Sequence, residues 1–171
     1  IDNVIVQHAE PDHSGGFLKF MKDYPNARPY ASNAGVGIML KQYFKSYDFQ
    51  RVKTGDTLST GRYTLTFVEM PMIHWPDNML TYVAEQKIAF SNDAFGQHIA
   101  SYDIFDDAHG AAKCIDRAKD YYANIVMPYG MQVANKLKQI RDMNLDIDMI
   151  APAHGVIWRS YIPELLQAYE E

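Results

Sequence analysis

The chain has 171 residues, 47% hydrophobic and 22% charged, with a net charge of −5. That is the size and make-up of one globular domain, and it excludes disordered, collagen-like and coiled-coil chains. The acidic balance gives no support to nucleic-acid binding, no apolar run is long enough for a membrane helix, and no basic-then-apolar leader opens the sequence, so a cytoplasmic setting is expected.

Residues 4–6 form a short apolar run near the start. A buried strand there needs neighbours on both sides, and the chain opens on Ile1 rather than Met, so a piece of a longer polypeptide is expected. After Gly15-Gly16, residues 17–22 read as a short helix stopped near Pro25. Ser32-Asn33 can cap a helix over 34–47, with Val36, Met39, Leu40, Tyr43 and Phe44 on one face. Residues 49–53 and 63–70 read as strands, and 79–83 with 88–90 as a hairpin around Glu85-Gln86-Lys87. A helix over 111–122, a strand-like run at 125–127 and a helix through Met131, Ala134, Leu137 and Ile140 follow. A last strand at 148–151 and a last helix over 162–170 close the chain. Cys114 is the one cysteine, so no internal disulfide and no CxxC pair exists. Strands mixed with helices throughout predict an α/β or layered α+β fold.

Chemistry-bearing residues fall at the ends of these strands. The first leads within two residues to His8, Glu10, Asp12 and His13; the strand through Phe67 leads to His74; that through Phe90 to Asp93; the last to His154. Loops at strand ends converge while the sheet beneath stays rigid, which is why sites collect there. His8, Glu10 and Asp12 are two apart, so in an extended segment they project to one side, and His13 joins them from the turn toward Gly15. Singly, each has a plainer reading: Asp12 as a helix cap, His98 as a neighbour of the site, His109 as a solvated side chain. Together they make four histidines and three carboxylates, too many for one tetrahedral zinc. Divided between two metals with one shared carboxylate, they give each ion about four ligands and leave open positions. The set contains no thiolate, so iron or manganese ranks above zinc.

At these residues the sequence resembles the flavodiiron proteins, A-type flavoproteins that reduce dioxygen or nitric oxide. The matching blocks are His8-Ala9-Glu10-Pro11-Asp12-His13-Ser14-Gly15, Met70-Pro71-Met72-Ile73-His74-Trp75-Pro76-Asp77, Phe90-Ser91-Asn92-Asp93-Ala94-Phe95-Gly96 and Ile150-Ala151-Pro152-Ala153-His154-Gly155. Glu10 stands where the zinc hydrolases of this fold carry histidine. The resemblance implies a metallo-β-lactamase-like αββα sandwich lacking its N-terminal strands, with residues 1–171 a partial di-iron domain. It assigns His8, Glu10 and His74 to one iron and Asp12, His13 and His154 to a second, with Asp93 bridging.

It also implies electrons from the FMN of a flavodoxin-like domain not contained in these residues, rubredoxin as the donor, and a head-to-tail homodimer or tetramer. Trp75 and Trp158 are candidates to line the pocket, and Tyr121, Tyr122 and Tyr129 to reach a bound gas. Two other classes remain open at this stage: a dinuclear-zinc hydrolase of the same fold, and a di-iron oxygen or nitric oxide sensor.

Overall fold

Alternation of side chains along the strands sorts the apolar residues into three layers, and those layers define the architecture. In the computed structural model, which describes residues 1–170, β1 (Asn3–Val6), β2 (Arg28–Ser32) and β3 (Gln50–Val52) form a parallel sheet. A second sheet runs in the order β4 (Thr57–Ser59), β5 (Thr64–Glu69), β6 (Met79–Val83), β7 (Ile88–Asn92), β8 (Met149–Pro152). Its pairs are antiparallel except β7 with β8. Glu171, the last residue of the expected domain, lies outside the described residues.

On β1, Val4 and Val6 face a core with Phe17 and Met21 of α2 (Phe17–Asp23, after the short α1, Pro11–Ser14) and Met39 of α3 (Asn33–Tyr43), whereas Ile5 faces the other way. There Ile5 and Tyr30 meet Leu65, Phe67 and Met79 of the second sheet. The opposite faces of β5 and β6 send Val68, Leu80 and Tyr82 against the remaining helices. These are α4 (Ala111–Tyr121), α5 (Gly130–Asp142) and α6 (Ile162–Glu170). The order is helices, sheet, sheet, helices: the expected αββα sandwich. Residues of β6 are buried on both faces, as a central strand covered on each side must be.

Two strands escape the pattern reading. β2 contains Pro29 between polar neighbours, a poor signal for a central strand. Arg28 donates its N–H to Asp2, so the Pro29 nitrogen faces β3, whose pairing begins only at Tyr30, and no ladder bond is lost. β4 is a three-residue polar edge strand. Two expectations are corrected. The helix expected over 34–47 ends at Tyr43, because Phe44 adopts φ 51° and turns the chain out. The strand expected at 125–127 is instead helical: residues Tyr122–Val126 make a wide π-type turn that joins α4 to α5 through Met127–Tyr129. Val126 is buried there in the core that the helices share with the second sheet. No helix among the described residues is long and apolar enough to cross a membrane.

Phe67 is fully buried between the sheets and stacks on Tyr30 with ring centroids 6.3 Å apart. Phe67→Ala should cost about 3–5 kcal/mol by urea unfolding, with the far-UV dichroism of the folded protein unchanged.

Candidate metal centre

Four strand ends converge at one edge of the sandwich. His8 follows β1, His74 sits in the loop between β5 and β6, Asp93 follows β7, and His154 follows β8. All seven predicted residues come together there. The opening segment is extended only as far as Glu10, which has β-like ψ 142°. Pro11 then starts α1, so Asp12 enters from a helical turn and not from the continued extended segment expected from the sequence, while His13 enters from that turn, as expected.

Asp93 is the centre of the cluster, 1% exposed, and its two oxygens face different groups. Oδ2 lies 3.3 Å from His8 Nε2 and 3.6 Å from His74 Nε2. Oδ1 lies 3.0 Å from His13 Nε2 and 3.3 Å from His154 Nε2. Glu10 Oε2 closes the first group at 3.1 Å from His8 Nε2 and 3.2 Å from His74 Nε2. Asp12 Oδ2 closes the second at 3.5 Å from His13 Nε2 and 3.4 Å from His154 Nε2.

Among these approaches that of His8 Nε2 to Glu10 Oε2 has hydrogen-bond geometry, but the cluster is not satisfied by such bonds throughout. Asp93 Oδ2 and His13 Nε2 are buried and have no hydrogen-bond partner. Buried polar atoms without partners are rare and costly, and a cation between them is what such a set lacks. Two subsets bring one ligand atom from each residue within 4.8 Å of all the others: His8, Glu10, His13 and Asp93, and Asp12, His13 and His154. The nitrogen and carboxylate donors fit divalent first-row metals.

Asp77, which the sequence offered only as part of a motif, fixes the first histidine. Its Oδ1 lies 3.0 Å from His8 Nδ1 and its Oδ2 accepts the Ala9 N–H at 2.6 Å. The neutral ring then carries its proton on Nδ1, and the Nε2 lone pair points at the cluster. Burial opposes charge on His8, but the hydrogen bond to Asp77 and the surrounding carboxylates outweigh it and raise the His8 pKa. His13 is raised in the same way, with Asp93 outweighing burial. Burial likewise works against the Asp93 carboxylate, and the histidines around it more than compensate, leaving its pKa lowered.

A cleft of about 240 Å³ opens over the cluster between Glu10, His74, His98, Tyr121, Ile125 and His154. Tyr121 donates its hydroxyl proton toward Asp93 Oδ1 at 3.5 Å, and its ring stands 5.1 Å from His98. Gly96 makes room for it, since a Cβ there would lie 2.9 Å from the Tyr121 ring. Burial, and then Asp93, push the Tyr121 pKa far up, so the phenol stays protonated. Of the other aromatic candidates, Trp75 packs edge-on against His8 at 5.1 Å. Trp158 lies behind the site and donates its indole N–H to Phe95 O. Tyr122 packs on Tyr169, and His109 hydrogen-bonds Asp103 at the surface, both outside the cluster.

A two-sheet sandwich with a double histidine–carboxylate cluster on its strand ends defines a metallo-β-lactamase-like metal-binding domain. Residues 1–155 match the family described as ODP family beta lactamase, and the chain belongs to that family. A nitric oxide reductase of Moorella thermoacetica is 43% identical over 171 residues, covering 99% of this chain and 43% of that protein. An uncharacterised protein of Methanocaldococcus jannaschii is 48% identical over 172 residues, 100% of this chain and 43% of its own length. The structure of the rubredoxin oxygen:oxidoreductase of Desulfovibrio gigas superposes with a TM-score of 0.95 at 35% identity, covering 99% of this chain and 43% of that one. The chain thus spans less than half the length of each, and the resemblance to flavodiiron proteins read from the motifs holds along its whole length.

Asp77→Ala strands the Ala9 N–H and the His8 Nδ1–H in a buried place. It should destabilise the metal-free protein by about 3 kcal/mol in urea, against less than about 0.5 kcal/mol for the exposed Asp2→Ala.

Proposed function

We propose that this chain is the di-iron domain of an oxidoreductase that reduces dioxygen to water, nitric oxide to nitrous oxide, or both. One observation carries the reading: a buried carboxylate, Asp93, presents each oxygen to a separate pair of imidazoles, and two buried atoms of the cluster, Asp93 Oδ2 and His13 Nε2, have no hydrogen-bond partner. In this reading His8, Glu10 and His74 hold one iron, Asp12, His13 and His154 the other, and Asp93 bridges them. The similarity to a nitric oxide reductase and to a rubredoxin oxygen:oxidoreductase supports the same chemistry and a rubredoxin-type donor. The relatives' greater length fits a protein in which a flavodoxin-like domain carries FMN, and a head-to-tail homodimer or tetramer brings that flavin to the metals. Residues 1–171 are then the metal-binding part of a cytoplasmic enzyme.

When bound, the two irons supply one-electron couples side by side and open positions for a diatomic gas. The chain's own residues prepare the place. Asp77 holds the His8 ring so that Nε2 is free of its proton and aimed at the cluster. The Asp93 carboxylate would hold both ions, because each of its oxygens faces a different pair of histidines. Glu10 and Asp12, on the solvent side, offset cationic charge where a gas enters. Tyr121 keeps a proton on its hydroxyl beside Asp93, at the inner wall of the cleft, where it can donate a hydrogen bond. Ile125 adds one apolar side to a cleft otherwise lined by titratable residues.

Protein loaded with ferrous iron should hold two irons per chain, magnetically coupled by Mössbauer and EPR spectroscopy. One zinc per chain with no coupled iron pair would overturn the reading. Asp93→Ala should lose more metal than His13→Ala, because the bridge serves both ions; equal losses would reject the assigned roles. Steady consumption of dioxygen or nitric oxide with a flavin or rubredoxin reductant separates turnover from gas sensing.

A further inference from the structure

The four histidines are not held alike. His8 has Asp77 on its outer nitrogen, and its side chain is wholly buried. His154 is the most exposed of the four, at 37% of its side chain, and among the described residues no hydrogen bond fixes its ring. Its neighbours are the partly open Asp12, Asp93, and the rings of His13 and Tyr121. Its direction must therefore come from its main chain.

On one side of His154 the Ala153 N–H donates to Asn92 O at 2.7 Å, and on the other the main chain is held by Gln97. Gln97, 1% exposed, lies four positions after Asp93, and every polar group of its amide is used. Its backbone N–H donates to His154 O at 3.1 Å. Its side-chain Oε1 accepts the Val156 N–H at 2.7 Å, and its Nε2 donates to Val156 O at 3.1 Å and to Phe95 O at 3.0 Å. The side chain thus pairs with Val156 as a strand neighbour would, two residues beyond His154, while its other end ties back to its own loop. Gly155, between the two held residues, has φ +91°, and a Cβ on it would stand 2.3 Å from Gln97 Oε1 and 2.6 Å from Gln97 O. The glycine and the glutamine interlock, and no other residue fits at 155 while Gln97 keeps its place.

We infer that Gln97 is the positioning residue of His154, fixing the loop of one metal group to the loop that carries the shared Asp93. The inference rests on the di-iron reading for its consequence, not for its geometry. Removing the clamp loosens the group of Asp12, His13 and His154, and leaves His8, Glu10 and His74 to their own supports. A buried residue that only stabilised the fold would weaken both groups together.

The test uses the full-length protein and Gln97→Met, which keeps the side-chain length without the hydrogen bonds. The expected result is a loss of affinity for one metal by about 10–100-fold, with the other retained within about twofold. In ferric protein the coupled pair should then give way to the EPR signal of an isolated high-spin ion. Gln97→Glu, which keeps the acceptor for Val156, should fall between, and Gly155→Ala should reproduce the Gln97→Met signature. Retention of both metals, or parallel loss of both by a folded variant, overturns the inference. If the wild type takes up two zinc ions and no iron, the oxidoreductase reading fails while the same stoichiometry series still decides the role of Gln97. Hydrogen exchange of the Val156 amide in metal-free protein decides it without any metal: protection in the wild type and its loss in Gln97→Met are expected, and an unprotected wild-type amide overturns the clamp.

Discussion

A carboxylate withdrawn from water among four imidazoles governs this structure. Asp93 has almost no solvent contact, and one of its oxygens has no hydrogen-bond partner. A buried charge left in that state costs several kcal/mol unless other charges answer it. The surrounding histidines do so in part, which is why Asp93 is held in its ionised form and His8 and His13 are drawn toward theirs. A pair of cations would answer it fully, and neutral imidazoles would then act as ligands instead of counter-charges.

Holding that arrangement demands more than strands ending at the same edge. The loops of His74, Asp93 and His154 are irregular, with left-handed residues at Met72, at Asn92 and Phe95, and at Gly155, and could not keep a set shape alone. Three buried polar contacts join the loops in series. Asp77, in the His74 loop, reaches across to His8 and Ala9. Asn78, next to it, is bonded by Asn92 at 2.9 Å, and also receives Met79 N–H and donates to Ile73 O, so the His74 and Asp93 loops are tied. Gln97 makes the last link, to the loop of His154. Fully satisfied buried polar groups give a unique geometry that apolar packing alone does not specify.

The surroundings of the cluster follow from the same logic. The wide helical turn after α4 brings Ile125 to the rim of the cleft that Tyr121, from the helix end, also lines. Turns of this kind interrupt α-helices mostly where a side chain must be re-aimed. Here the interruption lies where the apolar run at 125–127 reads as a strand, because local hydrophobicity reports burial and not the kind of backbone that achieves it.

The amino-acid sequence by itself determined the candidate ligand set, the layered α/β class and most strands, because donor identity is local chemistry and side-chain alternation is a local period. His8, Glu10, Asp12, His13, His74, Asp93 and His154 could all be named from residue type and their place after apolar runs. It did not reveal β2 or β4, whose burial is decided by neighbours and not by their own polar and proline-bearing residues. Only the tertiary structure decided which oxygen of Asp93 faces which histidines, that Tyr121 and not Tyr122 reaches the site, and that Asp77, Asn78 and Gln97 hold it. Those facts depend on pairs of residues up to 85 positions apart, such as His8 and Asp93, and a contact of that range leaves no periodic mark on either segment.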